Sequence, residues 1–182
     1  MQSCNSCHGH PSDDGVSWIN GSRHGEIIPL NEIGTDPERV SFRHYERIPN
    51  KLVDLFKSPH PFEITNENLR APKEIQKRGY VAAPIETAYL RAPYLHNASI
   101  MTLAELINLK QRREKFYRGK NAYDPIDLGF VSPKVPNDKV YFEFDTNIRG
   151  NSNQGHNYPW AYSDPDRSVA DLEALLSYLK TF

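Results

Sequence analysis

The sequence predicts one mainly α domain over residues 1–182, with long loops and a little β. Three observations carry this. Two segments pair helix-start chemistry with apolar residues at helical spacing, Thr102 to Ile107 and Ser168 to Leu179. The whole chain reads as loop-rich, with 14 prolines and 10 tyrosines, and its mean hydropathy of −0.68 with 38% hydrophobic residues is low for a self-sufficient core. Finally, both cysteines fall in Cys4-Asn5-Ser6-Cys7-His8.

The spacing C-x-x-C-H reads as a c-type haem attachment site. Two thiols each add across a porphyrin vinyl group to give thioethers, and the adjacent imidazole of His8 reaches the iron. One covalent haem c would also serve as part of the core that the composition lacks. Two rival readings stay open on the motif alone. A thioredoxin-like dithiol wants a preceding strand, whereas only Met1, Gln2 and Ser3 come before Cys4. A zinc-stapled binding module needs four ligands, so histidines such as His8, His10 or His24 would have to join the two cysteines.

Along the chain, residues 9–34 read as loop around the prosthetic group, with Val16, Trp18, Ile27, Ile28 and Leu30 tucked inward and Trp18 as packing. Asp36-Pro37-Glu38 starts a helix expected to run to about Arg47, followed by a second amphipathic piece from Lys51 to Lys57. Tyr80-Val81-Ala82-Ala83 is an apolar stretch that could be extended. Thr102 and Glu105 form a capping box, with Leu103, Leu106 and Ile107 as the apolar face. The run Lys110 to Arg113 with Lys115, Arg118 and Lys120 reads as a solvated helix face, or as a docking patch for an acidic redox partner. Val140 to Phe144 is the best strand candidate. Residues 150–156 form a polar glycine-rich loop, and Ser168 with Asp171 caps a last helix carrying Val169, Leu172, Leu175, Leu176 and Leu179.

A low-spin cytochrome iron needs a sixth ligand. The candidates are His10, His24, His44, His60, His96, Met101 and His156. His10 is too close to His8 to reach the opposite face, and His44 and His60 lie in charged surroundings. His96, ahead of the Thr102 cap, and His156, in a loop able to deliver an imidazole, are left undecided by position.

The stretch from Arg91 to Ile100, followed by Thr102-Leu103, resembles the "APYLHNGS…TL" segment of the dihaem cytochrome c peroxidase superfamily, which includes the methylamine-dehydrogenase maturation enzyme. More closely, residues 28–37, Phe116 to Gly119, Tyr123-Asp124-Pro125, Gly129-Phe130 and residues 150–156 together are similar to the carboxy-terminal haem domain of dihaem rubber-oxygenase-like proteins. That resemblance implies a cytochrome c-like haem domain in which His8 is the proximal ligand and His156 the distal one. His96 becomes a group orienting the haem surroundings, and Arg91 a propionate contact. It also implies a bis-histidine haem that moves electrons and does not itself turn over substrate. Two departures stand out: Ala98 replaces the usual glycine, and only one C-x-x-C-H motif is present. The helix that normally precedes the motif is also missing, so the chain is expected to be the carboxy-terminal part of a longer oxidoreductase whose first haem domain lies upstream.

The leading expectation is therefore an electron-transfer domain of a peroxidase- or oxygenase-like protein, its partner the upstream second haem domain or a redox protein. The alternative is a haem peroxidase or oxygenase with an open distal site, in which His96, Arg91 or Glu105 assists proton transfer. Covalent haem attachment implies a periplasmic or secreted location. A net charge of −1 gives no field favouring nucleic acid or an anionic membrane, and no apolar run approaches the ~18 residues that span a bilayer.

Overall fold

In the computed structural model, residues 4–41, 78–136 and 139–181 are described. The expected mainly α fold does not form: helix accounts for 21% and strand for 18% of these residues. The helices are α1 (Cys4–His8), α2 (Leu30–Ile33), α3 (Glu38–Ser41), α4 (Leu103–Leu106) and α5 (Val169–Tyr178), with a 3-10 turn at Ala88–Leu90. Eight short strands pair as four antiparallel ribbons. These join β1 (His10–Pro11) to β2 (Trp18–Ile19), β3 (Ile27–Pro29) to β4 (Gly79–Val81), β5 (Lys115–Arg118) to β8 (Phe142–Asp145), and β6 (Tyr123–Asp124) to β7 (Gly129–Phe130). The helix expected between Asp36 and Arg47 is described only as α3, and its remainder, the piece at Lys51 to Lys57, His44 and His60 lie outside the described residues.

The physical reason for so little helix is visible at α4. Its start is as strong as the sequence promised: Thr102 accepts from the Glu105 amide and the Glu105 carboxylate accepts from the Thr102 amide at 3.2 Å. Yet the helix closes after one turn, because Asn108 adopts a left-handed conformation (φ 62°) and Arg112 takes up the carbonyls of Glu105 and Leu106. An asparagine tolerates that conformation and ends a helix much as glycine does. Asn108 is held there, 2% exposed, by donating to the Trp160 carbonyl at 2.6 Å while its own carbonyl accepts from Arg167 at 2.6 Å.

Two apolar clusters flank the segment that enters α4. Ile100 packs with Ala88, Tyr94, Leu103, Ala104, Ile107 and the α5 residues Leu176 and Leu179. Its neighbour Met101 packs on the other side with Phe116, Phe130 and Phe144. Extended backbone sends successive side chains to opposite faces, so one dipeptide joins both clusters. On α5 the expected Ser168 cap forms, accepting from the Asp171 amide; Leu172 is fully buried, whereas Val169 is half exposed.

The charged run at residues 110–118 is not a solvated helix face. It is loop leading into β5, and three of its charges are paired: Lys110 with Asp127, Arg113 with Glu105 through two bonds of 2.6 and 2.9 Å, and Lys115 with Asp145. Glu105, anchored in the cap and by Arg113 and 5% exposed, serves the scaffold. The expected strand at Val140–Phe144 appears as β8, shifted toward Asp145, with Phe144 buried and stacked on Phe116 at 5.0 Å.

Ala98 keeps the left-handed turn (φ 59°) for which glycine is suited, its amide donating to the Leu95 carbonyl at 3.1 Å. A side chain there costs about 1 kcal/mol. Ala98→Gly is expected to raise the unfolding free energy by about that amount in a denaturant titration. Thr102→Ala, which removes the cap hydroxyl, is expected to lower it by about 1 kcal/mol.

Candidate haem site

Helix α1 carries Cys4, Cys7 and His8 on little more than one turn, the two thiols three residues apart and so on neighbouring positions of one face. Both cysteines are free and half-buried, and burial pushes the Cys4 thiol pKa up. His8 is oriented from its outer side: Nδ1 lies 2.8 Å from the Ala83 carbonyl, just past β4. A ring nitrogen bonded to a carbonyl is the protonated one, which leaves Nε2 as the free lone pair. The Trp18 indole donates to the His8 carbonyl at 3.0 Å and fixes the end of α1, the packing role expected for it.

His156 faces His8. Their ring centres are 6.0 Å apart with planes inclined by 44°. Two imidazoles bonded to one metal at about 2 Å each, with about 1.1 Å from bonded nitrogen to ring centre, put ring centres roughly 6 Å apart. His156 is half-buried with its Nδ1 covered, and desolvation, with the His8 and Arg112 charges adding, lowers its pKa to about 4. It is therefore neutral at ordinary pH, the form that ligates metals. Its Nδ1 has no hydrogen-bond partner, so the chain holds this residue through its backbone.

That backbone is held closely. The His156 amide donates to the Ile33 carbonyl at 2.7 Å, and Gly155 crosses the chain at Gly34: a Cβ on Gly155 would stand 2.3 Å from the Thr35 nitrogen and 2.4 Å from the Gly34 carbonyl carbon. Gly155 also has φ +85°, so the contact and the conformation both demand glycine. Asn97 donates to the carbonyls of Gly150 and Ser152 at 3.0 and 2.9 Å, Ser99 adds a bond to Ser152 at 3.1 Å, and the Asp36 carboxylate accepts from the Ser152 amide at 3.2 Å. Arg112 donates to the carbonyls of Asn153 at 2.7 Å, Gly155 at 2.8 Å and His156 at 3.4 Å. The three stretches around residues 28–37, 91–100 and 150–156, far apart in sequence, thus form one assembly that delivers His156.

Two cavities meet at the histidine pair. One, of about 80 Å³, is walled by Cys7, Ile28, Ile33, Tyr80 and Ala82; the other, of about 270 Å³, by Arg91, Leu103, Leu106, Ile107, Leu175 and Leu179. Cys4, His8, His156 and Tyr158 line both. The predicted apolar faces of α4 and α5 therefore form cleft wall. This donor set fits a covalently held haem: two thiols on one face, two opposed imidazoles and apolar walls. A zinc staple does not fit, since among the described residues no three or more His, Cys, Asp or Glu side chains group closely enough to hold a metal ion.

The other candidates lie elsewhere. His96 lines neither cavity; it stacks on Tyr80 at 4.9 Å and its Nδ1 is 3.4 Å from the Thr35 hydroxyl, so it reaches the cleft only through Tyr80. Met101 is buried among Phe116, Phe130 and Phe144. His10 bonds the Pro11 carbonyl and His24 sits exposed in a turn. Arg91 is exposed at the wall of the larger cavity. Sequence reasoning missed Arg112, concealed in a run of like charges, as well as Tyr80, Tyr158 and the binding role of Asn97.

Residues 79–118 match the family described as RoxA-like, cytochrome c-like. Two uncharacterized proteins of Sinorhizobium fredii are similar over most of the chain. One, y4iJ, is 30% identical across 98% of this chain and 36% of its own length; the other, y4iM, is 32% identical across 85% of this chain and 43% of its own length. The chain thus spans less than half of the curated relatives it matches. The cytochrome c-like match implies binding of haem c. Kinship with the dihaem peroxidase superfamily is no part of that match.

Gly155→Ala is expected to lower the unfolding midpoint and to free the loop that carries His156, since a methyl group cannot fit between Thr35 and Gly34. Hydrogen exchange of the His156 amide, now bonded to Ile33, is the measurement: protection should fall by more than it does for amides of α5.

Proposed function

We propose that this chain, which carries a RoxA-like, cytochrome c-like domain, holds one haem c through Cys4 and Cys7 with His8 and His156 as its two axial ligands, and uses it to transfer electrons. The observation that carries this is the 6.0 Å separation of two opposed imidazoles across an apolar cleft beside both thiols. When bound, the haem supplies a one-electron couple.

The chain's own residues divide the work. Cys4 and Cys7 provide thioether sulfurs. The Ala83 carbonyl keeps the His8 proton on Nδ1, and so Nε2 toward the cleft. Burial keeps His156 unprotonated. If His8 and His156 both hold the iron, the protein would leave no open position for peroxide or dioxygen. Leucine and isoleucine walls exclude water, which limits solvent reorganisation as charge moves. Arg91, at the wall of the larger cavity, is suited to pair with a propionate.

In this reading the domain is part of a larger peroxidase- or oxygenase-like oxidoreductase, exported to the periplasm or beyond, and exchanges electrons with a second haem domain or a redox partner. Two relatives more than twice as long as the matched region are consistent with that arrangement.

The test is spectroscopic. Purified protein is expected to carry one covalent haem per chain, ferric and low-spin. His156→Gly should give a high-spin ferric form that takes up cyanide, while His96→Gly and Met101→Leu should stay low-spin. A wild-type protein that is high-spin and reacts readily with peroxide would instead establish the enzyme reading for this haem. Cys4→Ser combined with Cys7→Ser should leave haem extractable by acidified organic solvent.

A further inference from the structure

Arg112 is a half-buried cation that hydrogen-bonds five backbone carbonyls and, among the described residues, forms no salt bridge. Its acceptors divide into two groups. Glu105 and Leu106 belong to α4 and its end, at 3.3 and 3.1 Å; Asn153, Gly155 and His156 belong to the loop, at 2.7, 2.8 and 3.4 Å. The nearby carboxylate, Glu105, is already gripped by Arg113 through two bonds.

A planar fork with five donors can satisfy five carbonyls on two elements at once, more than any other side chain. A lysine offers three donors from a point charge and reaches fewer of them. Leu106, whose carbonyl Arg112 holds, also lines the larger cavity. Arg112 therefore ties the wall of the cleft to the loop that presents His156. The loop is also attached at Gly150 and Ser152, nearer its start, and at Asn153, whose side-chain amide donates to the Arg113 backbone carbonyl at 2.9 Å, a bond that Arg113→Gln leaves in place. At the His156 end, the Ile33 carbonyl and Arg112 are what hold the backbone.

We propose that Arg112 is a positioning residue for the distal ligand: it sets the fraction of molecules in which His156 is seated against the iron. This rests on the bis-histidine reading above. Arg112 is not itself a lining residue of either cavity and acts through the backbone of residues 153–156.

The experiment compares haem-loaded wild type with Arg112→Lys, Arg112→Gln and, as control, Arg113→Gln. Arg113 neighbours the same helix and loses two bonds to a buried carboxylate, but its side chain does not hold the His156 loop. Wild-type low-spin character together with high-spin His156→Gly verifies the underlying reading first. The Arg112 variants are then expected to show a mixed-spin ferric spectrum and cyanide binding at least tenfold faster than wild type, graded Gln over Lys, with added imidazole restoring the low-spin bands. Arg113→Gln is expected to lose stability while keeping wild-type spin state and cyanide rate.

Folded Arg112 variants with unchanged spectra and cyanide rates would overturn the proposal, as would an equal response in Arg113→Gln. Should the Arg112 variants fail to accumulate, urea titration of wild type decides. If Arg112 ties loop to α4, the spin change coincides with global unfolding; a spin change well ahead of unfolding overturns the tie.

Discussion

The site depends on one constraint: a loop without regular structure must still have its carbonyl groups satisfied. Residues 150–156 run through the interior side of the fold with no helix or strand to pair them. A buried carbonyl left unpaired costs about 1–3 kcal/mol. Asn97, Ser99 and Arg112 take the carbonyls of Gly150, Ser152, Asn153, Gly155 and His156, while Asp36 and Ile33 accept from the loop's amides. These partners come from three separate parts of the chain: Ile33 with Asp36, Asn97 with Ser99, and Arg112. The imidazole that completes the site is thus placed by side chains that never touch it.

Much of the site was legible because its chemistry leaves a trace in the letters. Cys4, Cys7 and His8 announce themselves by spacing, and the cap at Thr102 with Glu105 formed as written. Gly155 is explained by a backbone crossing at Gly34 that leaves no room for a side chain. The apolar faces of α4 and α5 were visible as periodicity, although that they would line a cleft was not.

What the letters concealed was the ordinary-looking charge and the fold class. Arg112 stands among five neighbouring cations, and nothing local separates a guanidinium that clamps carbonyls from one that faces water. Burial, which lowers its pKa to about 10, is a tertiary property. The mainly α expectation rested on helix starts, and starts do not fix length. Asn108 ends α4 in a left-handed turn stabilised by Trp160 and Arg167, partners more than fifty residues away, and local propensity yields to such contacts. Between the short helices, the breakers leave pieces long enough only for ribbons of two to four residues a strand.

The walls of the larger cavity are drawn from α1 and from α5, which lie near opposite ends of the described sequence. Contacts of such long sequence separation form late, since the closure entropy of the intervening chain must be met before they are rewarded. During synthesis the thiols of α1 therefore emerge well before Leu175 and Leu179, and the larger cavity keeps an open wall until α5 packs against it.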